Sequence, residues 1–211
     1  MTISELPPLP PMAFYRIEAP IRKVKNFSTT IPARDEYMLG TPSNLIDEEA
    51  FAEIGIAYHD DGLIVFAKVE ESFSDCFFPD YTKGDALEIF IDTRNQKSAA
   101  QIHQFCHHFV ILPKDRDGIQ FAEVTRMRAE DSHPLANPEE ATVETTFHKS
   151  SYSLKILIPN TILHGYDPDQ QREIGFAYTA HRHKDKPQHF PLPPQIANLS
   201  RYPASWATLV L

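Results

Sequence analysis

Short apolar runs, each closed by a turn signal, recur along the chain and limit what it can fold into. AEIGIAY (Ala52–Tyr58) and GLIVFAKVEE (Gly62–Glu71) flank His59-Asp60-Asp61-Gly62, while FCHHFVIL (Phe105–Leu112) and IQFAEVTRM (Ile119–Met127) flank Asp115-Arg116-Asp117-Gly118. Asx and Gly between two such runs suit tight hairpins, because they tolerate the positive φ that a short reversal needs. Further strands are predicted at Leu87–Thr93, Thr142–Phe147, Tyr152–Ile158, Ile174–Ala180 and Trp206–Leu211. Only PNTILHGYD (Pro159–Asp167) resembles a short helix, with Pro at its first position and Gly165 as its stop. Many strands and one short helix predict an all-β chain, an antiparallel, jelly-roll-like β-sandwich. Leu87, Ile89, Ile91, Leu154, Ile156 and Trp206 are its expected core.

Two proline-rich stretches, PPLPP (Pro7–Pro11) and FPLPP (Phe190–Pro194), frame this pattern and predict extended segments. The expectation is a single domain over residues 1–211 with a Pro-rich N-terminal arm at about 1–12. A net charge of -9 argues against nucleic acid as a partner, since phosphate neutralisation needs a basic face. No run of like charge suggests a membrane surface, and no window approaches the roughly 18 to 20 apolar residues of a spanning helix. The first residues lack the basic start and apolar core of a secretion signal, and Cys76 and Cys106 are the only cysteines, so a cytoplasmic location is expected.

Chemistry concentrates first in GDALEIFID (Gly84–Asp92), which sets Asp85, Glu88 and Asp92 around an almost unbroken apolar run. Asp85 and Asp92 stand at the strand's two ends, where carboxylates accept backbone donors in turns. Glu88 stands in its middle, either facing solvent by alternation or facing a ligand.

AYHDDGLIVFAKVEE, GDALEIFIDTRN, YSLKILIPNTILHGYDP, REIGFAY and PASWATLVL, in that order, resemble the family 9 carbohydrate-binding modules and the related DOMON-like sandwich domains, from Phe51 to Leu211. The resemblance implies a carbohydrate-binding-module type of sandwich with a sugar slot between two tryptophans. At the first position this chain offers Tyr81 as a smaller platform. The second falls near Ser200, in Ala197-Asn198-Leu199-Ser200-Arg201-Tyr202, where there is no tryptophan. Trp206 matches a core aromatic that begins the last strand. By the same resemblance Glu88 matches a carboxylate that accepts from ligand hydroxyls, His107 and His108 fall near a ligand-binding arginine, and Gln188 falls near a polar residue of the far lip. With Arg182 and Asn198 these make the candidate ligand-binding set of Tyr81, Glu88, His107, His108, Arg182, Gln188 and Asn198. Family members include calcium binders, so calcium is the one cofactor entertained, with Asp85 and Asp92 as oxygen donors.

Ten histidines compete with that reading. His103, His107 and His108 form one group and His181, His183 and His189 another, and on a strand His181 and His183 share a face, as metal ligands do. No metal site is expected, but Asp85, Asp92, His181 and His183 are the residues that would supply one. No nucleophile motif accompanies them. The expectation is a noncatalytic module for a saccharide or glycoconjugate. The alternatives are a metal-dependent enzyme built on the histidine groups and a protein-interaction domain with a vestigial sugar site.

Overall fold

A computed structural model describes residues 16–29, 36–43 and 48–211. The proline-rich arm at about 1–12 lies outside the described residues. The strands are β1 (Glu18–Pro20), β2 (Arg22–Lys23), β3 (Ala52–His59), β4 (Gly62–Val69), β5 (Ala86–Asp92), β6 (Cys106–Arg116), β7 (Ile119–Glu123), β8 (Thr142–Phe147), β9 (Tyr152–Pro159), β10 (Glu173–His181), β11 (Gln188–Phe190) and β12 (Ala207–Val210). They form a two-sheet β-sandwich. One sheet runs β1-β12-β10-β5-β6-β7 with β11 added beside β10, and the other runs β2-β3-β4-β9-β8.

Both predicted hairpins form. In the β6–β7 turn Asp117 and Gly118 take φ of 55° and 83°, the pair of positive values that an Asp-Gly turn supplies. Gly62, with φ of 144°, opens β4 so close to β9 that a Cβ there would lie 2.2 Å from the Ile158 carbonyl oxygen. The sheets are antiparallel except at the N-terminal strands, where β1 runs parallel to β12 and β2 parallel to β3. The expected helix at Pro159–Asp167 is instead a single 3-10 turn at Asn160–Ile162, because Pro159 still belongs to β9 and pairs with Gly62. Among the described residues no helix is long and apolar enough to cross a membrane.

The inner faces alternate as period two requires: Ile54 and Ile56 of β3, Leu63 and Val65 of β4 and Leu154 and Ile156 of β9 meet Leu87, Ile89, Ile91, Phe109, Phe176 and Tyr178 across the sandwich. All six residues expected in the core are buried. β5 and its neighbours are also covered on their outer face, which explains why GDALEIFID is nearly continuous in apolar residues rather than alternating. At one end of that outer face Phe90, Cys106 and Ala177 lie under Ile102, Leu199 and Trp206. At the other, Ala86, Val110 and Leu112 lie against Cys76, Phe78 and Tyr81. Glu88, two residues from both Ala86 and Phe90, falls in the gap between these two covers.

Candidate functional site

That gap is a cleft of 890 Å³, with Glu88 and His108 in its wall beside Tyr81 and Asn198. Each Glu88 oxygen accepts from one imidazole: Oε1 from His181 Nε2 and Oε2 from His108 Nε2, both at 2.6 Å. The register makes this possible. Glu88 is opposite Thr179 on β10 and Val110 on β6, so His181 and His108 reach it from diagonal positions on the same face. Donation from Nε2 leaves Nδ1 of a ring as an acceptor when that ring is neutral. His108 is further fixed by stacking on Phe90, with ring centroids 4.2 Å apart, and by its backbone N–H donating to Thr125 Oγ1 at 2.7 Å. Tyr81 stands edge-on to both imidazoles, at 6.5 and 6.4 Å.

Burial pushes the Tyr81 hydroxyl up to about 12, helped by the Glu88 carboxylate and opposed by Arg126. For Glu88 itself burial would raise the carboxyl, but hydrogen bonds and charge from His108 and His181 outweigh it and hold it at about 2. A folded-state value below the unfolded reference of 4.5 contributes stability that is present above pH 4.5 and lost as pH falls towards 2. Its size is roughly 3 kcal/mol at full effect, at 1.36 kcal/mol per unit. The midpoint of urea unfolding should therefore drop through that window, and less steeply in Glu88→Gln. Equal slopes in the two proteins would refute the assignment.

The far wall comes from the segment before β12. Trp206, buried as expected, donates Nε1–H to the Leu199 carbonyl at 2.9 Å and so anchors this loop to the sheet. Asn198 shapes it: Oδ1 accepts from the Ser200 N–H at 3.1 Å and the Ser200 hydroxyl at 2.8 Å. Sequence reasoning found no tryptophan here and gave Tyr202 no role, yet Tyr202 lines the cleft and is 50% exposed. Its signal was an aromatic two residues from the expected position. Arg126 and Arg128 also line the cleft and were missed: Arg126 falls in the run expected as a strand to Met127, but β7 ends at Glu123 and both arginines lie on the segment after it.

Of the other candidates, His107 also borders the cleft but is fully buried, while Gln188 and Arg182 lie elsewhere. His107 points to the inner face, one residue out of phase with His108, and its Nδ1 is 3.0 Å from Glu123 Oε1. Gln188 is a correction to the expected lip residue: it is fully buried, and its amide is consumed by Phe51 N–H, Ala52 N–H, the Ala52 carbonyl and the Tyr178 hydroxyl, all at 2.8 to 2.9 Å. Arg182 is held by Glu71 and by Glu49 and lies over the Phe51 ring, lining a second cavity rather than the cleft.

The histidine groups of the sequence are dispersed. His181 turns to Glu88, whereas His183 lies beyond the end of β10 with Nδ1 3.0 Å from the Lys83 carbonyl. Asp85 and Asp92 sit at opposite ends of β5, and both oxygens of each accept backbone N–H groups, from His183 and Ser74 and from Arg94 and Gln96. Buried histidines instead pair with carboxylates, His189 alone with Glu48 and two each with Glu88 and Glu123. Among the described residues two sets of metal-ligating side chains do converge, Asp92 with His103 and Cys106, and His107 with Glu123 and His133.

The sequence matches the carbohydrate family 9 binding domain-like family over residues 27–189. No curated protein matches it. Two solved structures share the fold: a family 9 carbohydrate-binding module from Caldicellulosiruptor kristjanssonii in complex with cellotriose, at a TM-score of 0.64, and one in complex with glucose, at 0.65. Each is 12% identical to this chain and covers 92% of it, with 93% and 95% of the respective neighbour covered in return.

Proposed function

Since this chain belongs to the carbohydrate family 9 binding domain-like family, we propose that it is a noncatalytic module that binds a saccharide in the cleft above Glu88. The observation that carries this reading is the composition of the cleft. A buried carboxylate with its charge retained lies beside a partly buried tyrosine, opposite an exposed tyrosine and near two arginines. Aromatic faces pack on sugar C–H groups, while carboxylate, imidazole and guanidinium satisfy the hydroxyls. Tyr81 and Tyr202 take the places of two larger rings, so contact area and water exclusion are reduced and affinity is modest. Glycoconjugates carrying the same sugar are ligands on equal terms. The two cysteines are free and buried, which suits a reducing cytoplasm.

The test is titration of the ¹⁵N-labelled chain with glucose, cellotriose and other mono- and oligosaccharides, followed by NMR. Shifts confined to Tyr81, His108, Asn198 and Tyr202, and fading in Tyr81→Ala and Tyr202→Ala, are the expected result. Losing one stacking partner should weaken binding by about 0.5–1.5 kcal/mol, or roughly two- to tenfold. Silence across the panel at millimolar sugar would remove the saccharide reading and favour a protein partner for the same cleft.

A further inference from the structure

Behind the cleft, on the inner face of the large sheet, His107 of β6, Glu123 of β7 and His133 of the following segment are all buried, and one ligand atom from each lies within 4.8 Å of the others. Glu123 Oε1 is 3.0 Å from His107 Nδ1 and 2.9 Å from His133 Nε2, and also accepts from the Thr125 hydroxyl at 2.7 Å. The opposite nitrogen of His133, Nδ1, is 2.6 Å from the Gln104 carbonyl oxygen. A carbonyl only accepts, so Nδ1 carries a proton. A neutral His133 therefore presents a bare lone pair at Nε2 to a carboxylate oxygen, and that contact is favourable only with a cation between them. A second proton on His133 is one such cation.

We propose that a divalent transition-metal ion is the other, and that His107, Glu123 and His133 bind one such ion, zinc being the best match. Two imidazoles and a carboxylate are a borderline-soft N/O donor set of the kind zinc takes, with a fourth position left for water or the Thr125 hydroxyl. The outer shell is already in place. His133 Nδ1–H is held by a backbone carbonyl, and Glu123 Oε2 accepts the Ala136 N–H at 2.6 Å. Nε2 of His107 is buried without a partner, so moving its proton from Nδ1 to Nε2 frees Nδ1 as a ligand and breaks no other hydrogen bond. The set at Asp92, His103 and Cys106 is the poorer one, although His103 Nε2 is likewise buried without a partner. Both Asp92 oxygens are taken by backbone N–H groups, His103 Nδ1 accepts from the Phe105 N–H at 3.3 Å, and burial pushes the Cys106 thiol up, away from the thiolate that binds metal.

The ion would tie β6 and β7 to the segment carrying His133, and residues between them, Thr125, Arg126 and Arg128, border the cleft. The inference does not depend on what the cleft binds. It is tested on the full chain, stripped of metal and titrated with zinc chloride by calorimetry in buffers of different ionisation enthalpy, with cobalt(II) absorption as a second probe. Expected are one equivalent of zinc, proton release on binding, and ¹⁵N shifts of the His107 and His133 rings in the wild-type protein. His133→Gln should weaken binding by roughly a hundredfold or more, since even outer-shell losses reach that range, whereas His183→Ala should leave it unchanged. No saturable uptake by the wild type, or zinc shifts at His108 or His181 instead, would overturn the proposal. Should His133→Gln fail to fold, the wild-type ring shifts decide the matter.

Discussion

Replacing Glu88 by glutamine is expected to weaken saccharide binding roughly ten- to a hundredfold, the effect of removing a hydrogen bond to a charged group worth about 1.5–3 kcal/mol. The amide keeps the shape of the side chain but only one of its two acceptors. His108 and His181 now donate to one oxygen each, so in the variant one imidazole faces an NH₂ group and must present Nδ1 or a lone pair instead. The floor of the cleft is thereby altered in charge and in orientation at once. Calorimetry on wild type and Glu88→Gln, at pH 7 and with folding verified by near-ultraviolet circular dichroism, measures the loss. The Tyr81 hydroxyl supplies an internal control. Burial is the larger cause of its elevation and Glu88 the next, so in Glu88→Gln its titration should fall below about 12 while staying above the ordinary 10. Undiminished affinity with a shifted Tyr81 titration would mean that the carboxylate is structural and that the sugar lies elsewhere.

How far the sequence reveals this arrangement depends on whether a feature is local. The two hairpins are readable because Asp-Gly and Gly62 act within a few residues. β5 is readable as a strand from its apolar run, and Glu88 as a candidate because a carboxylate in mid-run must either be satisfied or serve a ligand. β1, β2 and β11 escape, being two or three residues long and stabilised by pairing with β12, β3 and β10. Pro20 and Pro191, in or beside them, read as strand breakers. The phase of β6 also misleads: His107 and His108 are adjacent in sequence but open onto opposite faces, so only His108 joins Glu88. His133 belongs to neither histidine group, and nothing near it in sequence announces that the fold brings it to Glu123. The cleft's far wall is legible only in part, since Trp206 identifies the loop it anchors but not that Tyr202 is turned outward.

Gln188 is the clearest case of a residue whose role reverses once its partners are known, and Gln188→Leu should destabilise the fold by about 2–5 kcal/mol. The side chain spans the sandwich from β11 on one sheet to β3 on the other: Oε1 accepts from Phe51 and Ala52, and Nε2 donates to the Ala52 carbonyl and the Tyr178 hydroxyl. Leucine is of comparable size but carries no polar atom, so buried donors at Phe51 and Ala52 lose their acceptor, at roughly 1–3 kcal/mol each. The lost stability is a large share of the 5–15 kcal/mol typical of a domain. For a chain of this length it corresponds to a fall in melting temperature of roughly 4–20 °C, at 2–4 °C per kcal/mol. Differential scanning calorimetry measures the fall, and saccharide titration below the new transition separates the two roles that the residue has been given. A residue that staples the sheets lowers stability and leaves sugar affinity within twofold, about 0.4 kcal/mol. A residue of the ligand lip does the reverse, and a Gln188→Leu protein that melts with the wild type but binds sugar weakly would return Gln188 to the cleft.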